Sequence, residues 1–210
     1  MNPKWAEENL QTIRTLMERS AIYRRALAPV MLFAGICGMV AMVAGIKFHF
    51  NSPLEFGVLW LGTAIIVISA AFFIARRQAF KSQEKFWTSP TRRVGQALLP
   101  PLMCGMIIGV AILFESDLAE YVPWLPSLWT VFYGLALHSA SFFMPPGIRR
   151  FGWVFISTGC ILFCAFLIKP PEYESDFIVR DHLLMGGIFG GLHLAYGIYL
   201  YFTEQKTPAV

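Results

Sequence analysis

The sequence predicts an all-α, polytopic membrane helical bundle: six transmembrane helices preceded by an amphipathic surface helix. Three observations carry this. Of 210 residues, 56% are hydrophobic and only 14% charged, with a mean hydropathy of +0.57; a soluble domain carries roughly 25% charged residues. The apolar residues are gathered into long runs without Asp, Glu, Lys or Arg, each close to the length that crosses about 30 Å of hydrocarbon as a helix. The basic residues sit at the ends of those runs. A net charge of +4 and a pI near 9.0, distributed in this way, report membrane orientation and not nucleic-acid binding.

Residues 1–25 are expected to form the surface helix. Trp5, Leu10, Ile13, Leu16, Met17 and Tyr23 fall on one arc, opposite Glu7, Glu8, Arg14, Glu18 and Arg19. Such a helix lies in the headgroup layer or covers the loops of its own chain. Both charge signs are frequent here, so no cleavable signal peptide is expected. The membrane domain, 26–202, follows, with spans at about 26–46, 56–74, 98–114, 125–144, 151–168 and 183–202, and a tail at 203–210. Asn51, Ser52 and Pro53 supply turn chemistry between the first two spans, with Ser52 as a cap. Ser89-Pro90 reads as the start of a short surface helix that Pro100-Pro101 ends or bends. Trp124, Pro126 and Trp129 mark an interfacial belt at the entry to span four.

Counting bases by side orients the chain. Five precede the first span, six lie in residues 75–97, two at Arg149 and Arg150 and one at Lys206; only Lys47, Lys169 and Arg180 fall on the other side. The positive-inside rule then places both termini in the cytoplasm of a bacterial inner membrane. The segment 75–97 is suited either to anionic lipid or to docking a cytoplasmic protein partner.

The last span, LLMGGIFGGLHLAYGIYLYF, carries two interleaved small-residue patterns, Gly186 with Gly190 and Gly187 with Gly191, and Gly197 a further turn on. Bare backbone of this kind receives a neighbouring helix at close range, from the same chain or from a second copy in a homo-oligomer. At 100° per residue, Gly186, Gly190, His193 and Gly197 fall within about 60° of one another, making a groove with an imidazole on its floor. Ala34, Gly38, Ala41 and Gly45 form a second small-residue seam in span one.

Two histidines fall inside spans. His138 shares a face with Ser127, Thr130, Gly134 and Ser141, and His193 lies in the glycine groove. Both sit at similar depth, about 9 and 13 Å from the inner boundary. Neutral imidazoles there hydrogen-bond to Ser, Thr or Tyr of other helices; alternatively the pair would ligate one haem b between facing helices. Cys160 and Cys164 share a face of span five, where thiols serve as small apolar groups. The acids Glu115, Asp117, Glu172, Glu174, Asp176 and Asp181 are expected as solvated loop charge. No phosphate loop, nucleophile elbow or zinc-protease motif is present, so no catalytic or metal-binding residue is assigned and no enzymatic activity is expected.

The runs ENLQTIRTLMERSAIYRRALAP, LWTVFYGLAL and LLMGGIFGGLHLAYGIYLYF resemble a group of uncharacterised bacterial six-span integral membrane proteins. That resemblance implies the fold but no activity. The layout is also similar in architecture to the permease halves of ABC-2-type exporters, with a surface helix before span one and a cytoplasmic loop between spans two and three. The expected role is a non-enzymatic, partner-binding or sensing membrane component. A permease subunit working with a separate ATPase, and a bis-histidine haem protein, are the alternatives.

Overall fold

A computed structural model of the chain describes residues 26–81, 83, 86–170 and 177–204. The expected surface helix at 1–25 and the tail beyond Glu204 lie outside these residues. Among the described residues all regular structure is helical: α1 (Ala26–Lys47), α2 (Pro53–Lys81), α3 (Ser89–Phe114), a 3₁₀ segment (Ser116–Trp124), α4 (Leu125–Ala140), a 3₁₀ turn (Ser141–Phe143), α5 (Pro146–Ile168), and a last rod. That rod is α6 (Phe177–Met185), a π-helical turn (Gly186–Gly191) and α7 (Leu192–Glu204). Five of these helices are long and apolar enough to cross a membrane, the make-up of a multi-pass membrane protein.

Local chemistry explains the ends of α1 and α2. Phe50 N–H donates to the Gly45 carbonyl and His49 N–H to that of Ile46, with His49 in the left-handed region at φ 53°. This pair of bonds is a Schellman termination. Two residues later Ser52 and Glu55 cap each other: Glu55 N–H donates to Ser52 Oγ at 3.2 Å and Ser52 N–H to Glu55 Oε2 at 3.0 Å. The reversal between α1 and α2 is therefore fixed by four hydrogen bonds between Gly45 and Glu55, two backbone–backbone and two from backbone N–H to a side chain.

Two elements run longer than the sequence suggests. Ser89-Pro90 does not open a separate surface helix; α3 passes straight through Pro100 and Pro101. Those prolines deprive the Gln96 and Ala97 carbonyls of intrahelical donors, at the polar end of the helix where water can serve instead. Likewise the last rod is helical from Phe177, so Arg180, Asp181 and His182 belong to it and not to a loop.

The chain packs through bare backbone in two places. The small-residue seams of α1 and the last rod meet: a Cβ added at Gly38 would lie 2.8 Å from Gly190 Cα, one at Gly190 2.9 Å from Met39 N, and one at Gly197 2.8 Å from Leu32 N. Gly35 and Gly186 face Leu194 and Met42 across the same seam. A Cβ at Gly187 or Gly191, on the other pattern, would meet nothing within 4 Å among the described residues, so these two glycines do not face α1. The second close pair is α4 with α5, where a Cβ at Gly134, Gly152 or Gly159 would lie 2.6–2.8 Å from the backbone nitrogen of Ile156, His138 or Val131. The polar stripe of α4 is this interface. Its hydroxyls return to their own helix: Ser127 Oγ donates to Trp124 O, Thr130 Oγ1 to Pro126 O and Ser141 Oγ to His138 O, at 2.5–2.7 Å. Turning the hydroxyls inward onto carbonyls leaves an apolar, closely packing surface.

Side chains fill the two ends of the bundle. At one, Ala41, Phe56, Trp60, Val122, Leu125 and Met185 are buried together; at the other, Leu27, Met31, Leu137, Ile148, Phe151 and Phe155. Phe189, within the π-helical turn, touches both clusters. By contrast α2 is held near its two ends, at Phe56, Gly57, Trp60 and Ala79, and presents most of its length outward.

Candidate functional site

The buried polar atoms of the bundle concentrate on two histidines of the last rod, eleven residues and so roughly 16 Å apart along it. Each histidine uses both ring nitrogens, and the partners determine which nitrogen carries the proton.

His193 is 3% exposed, enclosed by the rings of Tyr133, Phe151, Phe155 and Phe189 with centroids 5.2–6.3 Å away. Its Nδ1 lies 2.6 Å from the Phe189 carbonyl and its Nε2 2.7 Å from Tyr133 Oη. A carbonyl only accepts, so Nδ1 is the protonated nitrogen and donates to it. Nε2 then accepts, and the Tyr133 hydroxyl donates. The bond ties the last rod to α4, while Phe151 and Phe155 bring α5 to the same point. On a regular helix His193 would share the face of the glycine groove. Here its ring partners outside the rod come from α4 and α5, whereas Gly190 and Gly197 face α1. His193 and Gly197 both belong to α7, about 40° apart around its axis, so the imidazole stands at the edge of the groove and is turned away from α1.

His182 is 1% exposed and has the opposite tautomer. The Trp60 indole N–H, which can only donate, reaches its Nδ1 at 3.1 Å. Nδ1 is therefore the acceptor, and Nε2–H donates to the Phe50 carbonyl at 3.2 Å. The Schellman end of α1 places that carbonyl, and Gly45 supplies the room: a Cβ there would fall 2.6 Å from His182 Nδ1. Phe56, tilted against the imidazole at 5.1 Å, stacks in turn on Trp129 of α4, their planes 2° apart. Trp129 Nε1–H donates to the Gly105 carbonyl of α3 at 3.0 Å. One imidazole thus gathers α1, α2 and the last rod, and through Phe56 it reaches α4 and α3.

Beside it, Asp181 is fully buried instead of being solvated loop charge. Its Oδ1 accepts from Arg180 Nε at 3.1 Å and Nη2 at 2.9 Å. Oδ2 has no hydrogen-bond partner among the described residues. Arg180, 38% exposed in its side chain, lies over the Phe166 ring at 5.5 Å, so this ion pair packs against α5.

His138 stands elsewhere. Its ring meets Trp153 and Phe142 edge-on at 5.4 and 6.0 Å, and its neighbours are not those of His193. A haem ligated by this pair would have to take His193 Nε2 from Tyr133, since Nδ1 is committed to the backbone. The residues as arranged do not fit that group. Cys160 and Cys164 are exposed on α5, and among the described residues no three His, Cys, Asp or Glu converge as a metal site. Of the residues that build the site, sequence inspection finds His193 but passes over His182, Trp60 and Asp181. The signal for them was the triplet Arg180-Asp181-His182 abutting an apolar run. No protein-family model, characterised protein or solved structure is significantly similar to this chain.

Proposed function

We propose that this chain is a six-span inner-membrane protein with both termini in the cytoplasm, acting as a non-enzymatic partner-binding or sensing component. The sixth crossing is α4. Its 16 residues together with the 3₁₀ turn that follows extend about 30 Å, the thickness of the hydrocarbon core. Six crossings put both termini on one side, in keeping with the distribution of bases. Alkaline phosphatase fusions should be active after residue 118 or 175 and inactive after 85 or 206; activity at 85 would overturn the orientation.

The observation that carries the non-enzymatic role is the saturation of the two buried histidines. Every ring nitrogen of the two is hydrogen-bonded, three of the four to groups outside the last rod and His193 Nδ1 to the rod's own Phe189 carbonyl, and the α4 hydroxyls are spent on nearby backbone carbonyls. The polarity at these two sites is thereby used as glue, and neither imidazole keeps an unbonded nitrogen for proton transfer or metal ligation. Purification in mild detergent tests the role. A partner retained in fixed ratio and without nucleotide hydrolysis supports it. An ATPase that co-purifies, and is lost when Arg76, Arg77, Lys81, Lys85, Arg92 and Arg93 of the basic segment 75–97 are replaced by Gln, would instead favour a permease subunit.

A further inference from the structure

The geometry points to a specific site for an anionic phospholipid headgroup on the far end of α2. Phe56 to Ala75 is a run of about 20 residues without a charged side chain, about 30 Å as a helix and so one hydrocarbon thickness. Arg76 is the first residue past it, and α2 continues as helix to Lys81. Arg76, Arg77 and Lys81 therefore stand within about 10 Å of the hydrocarbon edge, in the headgroup layer. With Phe73 and Phe80 they line a shallow cleft of about 460 Å³ on one outward face, at helical spacings of three and four. No acid lines it. The Arg76 guanidinium lies over the Phe80 ring at 5.4 Å, an arrangement that holds its plane while leaving N–H edges free for a phosphate.

Two features favour lipid over a soluble acidic protein. Phe73 and Phe80 are 63% and 64% exposed, and Phe73 lies on the hydrocarbon side of the bases, beyond the reach of a soluble surface. The cleft also opens onto the outward apolar face of α2, where Ile66 and Ile65 are exposed and can line acyl chains. The site requires only that α2 cross the membrane. It does not depend on the functional role or on which side is cytoplasmic.

The test is native mass spectrometry of the full chain in detergent, titrated with dioleoylphosphatidylglycerol or dioleoylphosphatidylcholine. The parent should retain one phosphatidylglycerol in preference to phosphatidylcholine, and millimolar inorganic phosphate should not displace it. Arg76→Gln/Arg77→Gln/Lys81→Gln should lower that affinity by roughly a hundredfold, from about fivefold per base near a membrane surface. Arg149→Gln/Arg150→Gln, which removes two bases elsewhere, should leave it within about twofold. If the triple variant does not reach the membrane, Arg76→Gln and Arg77→Gln singly should each weaken retention about fivefold. Unchanged retention in these variants, equal retention of phosphatidylcholine, or displacement by phosphate would overturn the assignment. Binding of an acidic soluble protein to the stripe in lipid-free detergent would do the same.

Discussion

Gly190 and Gly191 are adjacent in the chain, yet the same substitution should act on them with opposite sign. A methyl at Gly190 would lie 2.9 Å from both Met39 N and Met39 Sδ, with α1 backbone on the far side. The methionine side chain can swing away, but the backbone cannot, so α1 and the last rod must separate by several tenths of an ångström. Overpacking of this kind costs about 1–3 kcal/mol. A methyl at Gly191 meets nothing within 4 Å, and replacing glycine in a helix recovers up to about 1 kcal/mol of backbone entropy. For a chain of this size, 1 kcal/mol corresponds to roughly 2–4 °C in Tm. Gly190→Ala should therefore lower the midpoint by about 3–10 °C and Gly191→Ala should leave it unchanged or raise it slightly, by thermal-shift measurement in one detergent. Gly190→Leu should fall further, because the longer side chain forfeits many dispersion contacts along the seam at once. Equal midpoints for the two alanine variants would refute the seating of α1 on the Gly186/Gly190/Gly197 face.

The hydrogen bonds of His193 and His182 make further demands. Tyr133→Phe keeps the ring but strands His193 Nε2, and should cost about 0.6–1.7 kcal/mol, the range measured for hydrogen bonds inside membranes, read as reduced resistance to denaturation by sodium dodecyl sulfate. Trp60→Phe should act similarly at His182, and a double-mutant cycle of the two should be additive within about 0.5 kcal/mol because the sites share no partner. His49→Gly should stabilise by up to about 1 kcal/mol, since relief of roughly 1–2 kcal/mol of left-handed strain at the end of α1 outweighs about 0.4–1 kcal/mol of added unfolded-chain entropy. Purified from cells supplied with haem, the protein should be colourless; a Soret band lost in both His138→Ala and His193→Ala would reverse that expectation.

How much of this was legible in the sequence can be followed residue by residue. The helical class and the apolar helices were legible because long runs without charge admit no other structure in lipid. Ser52 and Glu55 spelled a capping pair at a spacing that needs no tertiary knowledge. Glycine spacing signalled close approach but could not name the partner helix. It also could not separate Gly186/Gly190 from Gly187/Gly191, since both patterns satisfy the same four-residue rule. The π-helical turn was invisible, because nothing local distinguishes an i→i+5 turn in GGIFGG from an α-helical one; nor could spacing tell that His193, at the edge of the groove, turns toward α4 and α5. His182 and Asp181 were missed for a different reason. Charge beside an apolar run ordinarily marks a helix end in water, and only the packing of α1, α2 and the 3₁₀ segment over the start of the rod buries them.

The account turns on two imidazoles locked as opposite tautomers, and nitrogen-15 magnetic resonance of histidine-labelled protein in lipid reads tautomers directly. His193 should show a protonated Nδ1 and an accepting Nε2, and His182 a protonated Nε2 and an accepting Nδ1, each signal assigned by its loss in His193→Ala or His182→Ala. A His193 protonated at Nε2, or either ring carrying the shifts of a metal-bound nitrogen, would contradict it.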